Sequence, residues 1–223
     1  MMNIISNPEI VISSTGRCGS VYVAKLLTSV GILCDHESYF GPTGKEIENS
    51  FVSKREGLHK FPKRIAESSM FSAPFLKTLD SKTKIIHLVR HPLKVITSFT
   101  KDLNMFNQNW RDNKSFVVTE SFIRKHIDIE NIKDQLTAGC AYYVLWNRLI
   151  EEKFNFRFKK ENDVKELFDY LEIKPDKFYQ DKKCNSYEKN HNDKAKIITW
   201  EEIPDSFYKK ELKIMAKNYG YIE

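Results

Sequence analysis

The chain contains no run of about 18 or more apolar residues, so no stretch of it reads as a membrane-spanning helix. Its first residues, Met1-Met2-Asn3-Ile4-Ile5-Ser6, carry no basic segment and no long apolar stretch, so no signal peptide is visible. Cysteine is sparse, with Cys18, Cys34, Cys140 and Cys184 only, and none stand at C-x-x-C spacing. That argues against a zinc site. A chain of this size does not need disulfides, so the four read as free thiols of a reducing compartment. There is no internal repeat, low-complexity tract or clear linker. The strict phosphate-loop pattern G-x-x-x-x-G-K-[ST] is missing too, because no Gly-Lys-Ser/Thr occurs where it would be needed.

What remains is 223 residues, 41% hydrophobic and 30% charged, enough for one well-filled core. One α/β domain spanning 1–223 is the simplest organisation. The net charge of +6 favours anionic partners, either a nucleotide or nucleic acid, and it also fits a lysine-rich solvated surface.

Two stretches carry chemistry. In the first, Ile10-Val11-Ile12 reads as a buried strand. Val23, Leu26, Leu27 and Val30, at helical spacing, read as one face of a helix. Between them lies the polar turn Ser13-Ser14-Thr15-Gly16-Arg17-Cys18-Gly19-Ser20. Strand, glycine turn and helix together present backbone N–H groups and a positive helix end to a phosphate. Arg17 adds a fixed charge, and Ser14, Thr15 and Ser20 add hydroxyls. In the second stretch, Ile85 to Val89 reads as another buried strand and Pro92 suits the first turn of a helix. Arg90 then stands at a strand's C-terminal end, where ligands bind in open α/β sheets. An arginine there grips phosphate with two parallel N–H bonds. Ser98 follows about two turns into the next helix.

These stretches resemble the PAPS-dependent sulfotransferases, where PAPS is 3′-phosphoadenosine 5′-phosphosulfate. Thr15-Gly16-Arg17-Cys18-Gly19-Ser20 is similar to that family's 5′-phosphosulfate turn. Arg90, with Ser98 eight residues on, is similar to its 3′-phosphate pair. Cys34-Asp35-His36-Glu37-Ser38-Tyr39-Phe40 resembles the segment that carries a catalytic Glu in carbohydrate sulfotransferases. The resemblance implies a doubly wound, mainly parallel, P-loop NTPase-like α/β fold. It implies PAPS as donor, PAP (its desulfated form) as product, and a small-molecule or glycan hydroxyl as acceptor. It also implies no metal, no nucleic acid and no membrane contact. Golgi members carry a membrane anchor, and none is seen, so a cytoplasmic enzyme is expected. Many cytosolic members have Lys where Arg17 stands, so a lysine's proton donation does not carry over.

Along the rest of the chain, Gly31 reads as the stop of the first helix and Ile32-Leu33-Cys34 as a short strand. Asp35 to Gly44 reads as a loop returning to the site. Residues 45–80, broken by Gly57, Pro62 and Pro74, read as short helices and loops. Asn104 to Asn113, with Met105, Phe106 and Trp110, reads as a surface loop with anchoring aromatics or as the wall of an acceptor pocket. Lys133 to Glu152 reads as a long helix apolar on two faces, hence buried. Phe154 to Phe158 reads as a strand, followed by a helix with Val164, Leu167, Phe168 and Leu171 on one face. That pair also resembles the family's, whose strand usually ends in Glu-Asp. Lys159-Lys160 stands there instead, so the carboxylate's role does not carry over. Lys182, Lys183, Tyr187 and Lys189 fall where the family's late loop covers the 3′-phosphate and adenine. Asp205 reads as the N-cap of a last helix whose stripe is Tyr208, Leu212, Met215 and Tyr219.

The resulting site assignment is Thr15 to Ser20, Arg90, Ser98 and Tyr187 for the nucleotide. Arg17 serves the charge on the leaving phosphate. Glu37 is the general base, with His36 as its rival. Two other functions fit parts of the sequence. A P-loop kinase of a small molecule or nucleoside lacks the lysine that reaches the transferred phosphate. A non-catalytic nucleic-acid-binding protein lacks any recognisable binding signature.

Overall fold

In the computed structural model the described residues are 8–37, 40, 66–107, 114–174 and 196–222. Five strands, β1 (Ile10–Ser13), β2 (Cys34–His36), β3 (Ala66–Ser69), β4 (Lys84–Val89) and β5 (Phe156–Lys159), form one sheet in the order β2-β3-β1-β4-β5. All four pairings are parallel. The helices are α1 (Ser20–Ser29), α2 (Pro92–Thr97), α3 (Lys114–His126), α4 (Gln135–Glu151), α5 (Val164–Leu171) and α6 (Phe207–Asn218). A 3-10 helix occupies Met70–Thr78, and a π-helical turn, Ser98–Asp102, continues α2.

This is the expected α/β fold. In β4 the consecutive residues Ile85 to Val89 are all buried. Successive strand residues point to opposite faces, so both faces of the sheet are covered. The winding runs from β1 outward to β2 and β3, then crosses back over β1 to β4 and β5. The order reverses at β1, and the crevice at the carboxyl ends of the strands opens at such a switch point. Both polar stretches leave the sheet there.

Three expectations are corrected. The second strand is Cys34–His36, two residues later than Ile32-Leu33-Cys34. The amide of Ile32 donates to the Leu27 carbonyl (2.9 Å) and that of Gly31 to Thr28 (3.2 Å). Ile32 is thus used to close α1, with Gly31 left-handed at φ +88°. Asp35 and His36 are therefore strand residues and not part of a loop. Within 45–80, the described part begins with a strand, β3, flanked by β1 and β2. Ala66-Glu67-Ser68-Ser69 has no apolar run, yet all four are buried. Small residues there let α1 pack close to the sheet, and the Ser68 hydroxyl donates to the Ser20 carbonyl at 3.0 Å. Finally, Ser206 caps α6, its Oγ accepting from the Lys209 amide (3.1 Å), while Asp205 pairs with the Lys209 ammonium.

Helix α4 is buried on every side from Ala138 to Val144, as its two apolar faces predict. It is tied to β4 through His87, whose ring accepts from Arg157 Nε at Nδ1 (3.3 Å) and so donates from Nε2 to Asn147 Oδ1 (2.7 Å). Burial holds His87 down to about 3, so it is neutral in this role.

Candidate functional site

After β1 the chain turns through Ser14 to Gly19 and enters α1. Gly16 is left-handed at φ +76°, and a Cβ there would lie 2.9 Å from Met70 Sδ and 3.3 Å from Phe99 Cζ. Gly19 is the N-cap at φ +91° and gives α1 no side-chain cap. The first-turn amides are thus left for backbone or ligand partners. The hydroxyls of Ser14 and Thr15, expected at the ligand, are fully buried instead. Ser14 Oγ accepts from the Gly16 amide (3.1 Å), and Thr15 Oγ1 meets Cys18 Sγ (3.1 Å). The Cys18 thiol is also buried, which pushes it up to about 11. These three side chains shape the turn, and Thr15, Gly16, Cys18 and Gly19 have only backbone to offer a ligand.

Arg90 follows β4, and Ser98 opens the π-helical turn. The two expected phosphate segments meet through Arg17. Its Nε donates to Ser98 Oγ (2.8 Å), and Arg90 Nη1 donates to its carbonyl (3.0 Å). Arg17 is exposed as a residue, and its guanidinium is shielded in part where Nε meets Ser98. Its pKa is lowered mainly by that desolvation and also by Arg90, against the opposing pull of Asp102. Arginine's ordinary value is so high that the charge is kept.

Two consecutive tyrosines of α4 pin the same segments from below. The Tyr142 hydroxyl donates to the Thr15 carbonyl and the Tyr143 hydroxyl to the Arg90 carbonyl (2.9 Å). Burial raises both phenols well above their ordinary value, so they are neutral donors. Nothing in the sequence marked them beyond their place on an apolar helix. Tyr143→Phe is expected to lower stability by about 1 kcal/mol, because it leaves the half-buried Arg90 carbonyl without its donor. A urea melt with an unchanged midpoint would speak against this bracing.

His36 ends β2 on the other side of the turn. Its Nε2 lies 2.9 Å from Ser20 Oγ and 3.8 Å from Glu37 Oε1. Glu37 is left-handed at φ +52° and its amide continues the ladder to the Ser68 carbonyl (3.2 Å). Among the described residues five non-glycine positions have positive φ, and two of them are Arg17 and Glu37. Such strain of roughly 1–3 kcal/mol concentrates at functional sites. The structure thus brings together Arg17, Arg90 and Ser98, places His36 against Ser20, and sets Glu37 beside His36. Tyr187, with Lys182, Lys183 and Lys189, lies outside the described residues, as does Trp110. Met105 and Phe106 are buried, with Phe106 against Phe99 and Tyr142, so they anchor the core.

No family model matches the sequence, and no curated protein sequence matches it. Solved structures do match. The sulfotransferase domain from the Synechococcus PCC 7002 olefin synthase superposes with a TM-score of 0.53 at 15% identity, covering 100% of this chain and 98% of that one. Mouse sulfotransferase SULT7A1 complexed with PAP matches with a TM-score of 0.38 at 18% identity, over 77% of this chain and 60% of that one. At this identity the first likeness is one of fold: the chain has the fold of a sulfotransferase domain. The second adds nothing to that.

Proposed function

We propose that the protein is a sulfotransferase that moves a sulfuryl group from PAPS to an acceptor hydroxyl, on a carbohydrate. The observation that carries this reading is the single hydrogen-bonded chain Arg90–Arg17–Ser98, which joins two anion-gripping segments at the switch point of the sheet. One nucleotide with anions at both its 3′ and 5′ positions would span them. The amides from Gly16 to Ser20 and the positive end of α1 hold the 5′-phosphate. Arg90 and Ser98 hold the 3′-phosphate.

In the transfer, the acceptor oxygen forms a bond to sulfur while the bond from sulfur to the bridging phosphate oxygen breaks. The electron pair stays on that oxygen, and Arg17 stabilises its charge. The acceptor's proton goes to Glu37. His36 is the rival base; its Nε2 lies 2.9 Å from Ser20 Oγ and 3.8 Å from Glu37 Oε1, where the ring would orient both groups. An open groove of about 420 Å³ lies between α1 and β2, lined by Val21, Ala24 and Cys34 as well as Lys25, Asp35 and His36, and this mixed lining offers an acceptor an apolar wall beside polar partners. The donor set is complete with fixed arginine charge, so the reading calls for no metal.

The free thiols Cys18, Cys34 and Cys140 fit the cytoplasm, where we place the enzyme as one domain without membrane or nucleic-acid partners. Among the described residues no helix is long and apolar enough to cross a membrane.

A thermal-shift comparison of PAP, ADP, magnesium–ATP and an oligonucleotide tests the reading, because a ligand of the folded state raises the melting temperature. PAP should stabilise most. Stabilisation by magnesium–ATP would favour a kinase, and salt-sensitive stabilisation by the oligonucleotide alone would favour a nucleic-acid-binding protein. Arg90→Ala should lower PAP affinity by about one to two decades, the effect of losing a charge-assisted hydrogen bond. Equal affinities by titration calorimetry would remove Arg90 from the site.

A further inference from the structure

The peptide unit between Arg90 and His91 is gripped at both ends. A trans peptide is a rigid plane whose C=O and N–H point in opposite directions. On one side the Tyr143 hydroxyl of α4 donates to the Arg90 carbonyl (2.9 Å). On the other the His91 amide donates to Oε1 of Glu161, in the turn after β5 (3.3 Å). The second oxygen of that carboxylate, Oε2, accepts from the Tyr221 hydroxyl (2.9 Å). Tyr221 is delivered by the way α6 ends. Gly220 is left-handed at φ +70°, its amide donates to the Lys217 carbonyl (2.9 Å), and the Tyr221 amide donates to Ala216 (2.9 Å), the paired bonds of a glycine-terminated helix. That turn lays the Tyr221 ring edge-on to the His91 ring, with centroids 5.3 Å apart, and the Lys159 ammonium lies 5.2 Å from the Tyr221 centroid. Burial, and then the Glu161 charge, push the Tyr221 phenol above its ordinary value, so it stays a neutral donor.

We propose that Glu161 and Tyr221 are positioning residues of the nucleotide site: they hold the Arg90–His91 peptide against Tyr143 and so aim the Arg90 guanidinium at the 3′-phosphate. This rests on the function proposed above. Neither side chain touches the nucleotide in this role. Charge alone makes the opposite prediction for Glu161, because removing a carboxylate beside an anion site removes a repulsion and tightens binding. A loss of affinity on its removal therefore reports positioning.

The test is titration calorimetry of PAP and ADP with wild type, Glu161→Ala, Glu161→Gln, Tyr221→Phe, Arg90→Ala, and Tyr221→Phe combined with Arg90→Ala. Glu161→Ala should weaken PAP binding about three- to tenfold, the effect of one net hydrogen bond, and leave ADP, which has no 3′-phosphate, within about twofold of wild type. Glu161→Gln keeps an acceptor for the His91 amide and should restore PAP affinity. Tyr221→Phe should give a smaller loss in the same direction, and none in the Arg90→Ala background, because residues that act through one group are not additive. Three results would each overturn the proposal and leave the PAPS reading intact where wild type prefers PAP. They are PAP binding by Glu161→Ala as tight as wild type or tighter, an equal loss for ADP, and an undiminished cost of Tyr221→Phe in the Arg90→Ala background. If wild type shows no preference for PAP over ADP, the PAPS reading fails, and inorganic pyrophosphate replaces PAP in the same titrations. Weaker pyrophosphate binding by both Glu161→Ala and Arg90→Ala then supports the aiming of Arg90 at an anion. Unchanged binding by Glu161→Ala, or none by wild type, overturns it.

Discussion

Glu37→Gln is expected to lower kcat by about 10²–10⁴-fold and to leave PAP affinity nearly unchanged, since general-base catalysis contributes that much. Gln keeps the length and planarity of the side chain and loses only its basicity. The left-handed backbone at φ +52° is the same for either residue, so folding is not the variable. The nucleotide is held by the turn after β1 and by Arg90, whereas Glu37 sits past the end of β2 beside His36 and bears on Arg17 through its charge. His36→Asn is the companion measurement. It removes the Ser20 contact and should cost far less than Glu37→Gln. The opposite ranking would make His36 the base. A Glu37→Gln enzyme retaining more than about a tenth of the rate would show that this carboxylate does not take the proton.

Arg17→Ala should give the second large loss, about 10²–10³-fold in kcat, the scale measured when one preorganised charge-stabilising donor is removed. Two contacts separate this effect from simple loss of binding. The carbonyl of residue 17, which anchors Arg90 at 3.0 Å, is backbone and survives the substitution. The Nε bond to Ser98 is lost, but Ser98 only accepts in that bond and keeps its own hydroxyl hydrogen for the 3′-phosphate. PAP affinity should therefore fall less than the rate does. Arg17→Lys keeps a charge without the fork geometry and should recover part of the rate. If the Lys and Ala variants are equally slow, charge on the bridging oxygen is not what Arg17 supplies. If PAP affinity falls as steeply as kcat, Arg17 is a binding residue only.

The sequence made the central part of this site legible because its signals are local. The turn Thr15 to Ser20 lies between an apolar run and a helical stripe, and Arg90 directly follows five consecutive buried residues. Both signals depend on neighbours in the chain, and both segments stand where they were expected. Strand β3 was hidden for the opposite reason. Ala66-Glu67-Ser68-Ser69 is buried because β1, β2 and α1 enclose it, and small polar residues fit there without producing a hydrophobic pattern. The Tyr142 and Tyr143 braces were visible only as members of a buried helix. Their hydroxyls acquire meaning from carbonyls 127 and 53 residues away in sequence.

The inward turn of Ser14 and Thr15 was equally out of reach. A hydroxyl in a phosphate-binding turn serves the ligand or the turn itself, and the choice depends on which side of the backbone it occupies. Lys160 shows how a departure can be informative once geometry is available. In sequence it only breaks a pattern. In the fold its stem fills the space a Cβ on Gly19 would take, 2.8 Å from its Cδ.

The claim on which the account depends is that Arg17, Arg90 and Ser98 form one site for a nucleotide phosphorylated at both ends. Titration calorimetry of the purified protein with PAP and with ADP tests it most directly. The two ligands carry similar charge, and only PAP has the 3′-phosphate. The account predicts that PAP binds at least about tenfold more tightly than ADP, the effect of one charge-assisted phosphate contact. Equal affinity for the two, or tighter binding of ADP, would contradict it.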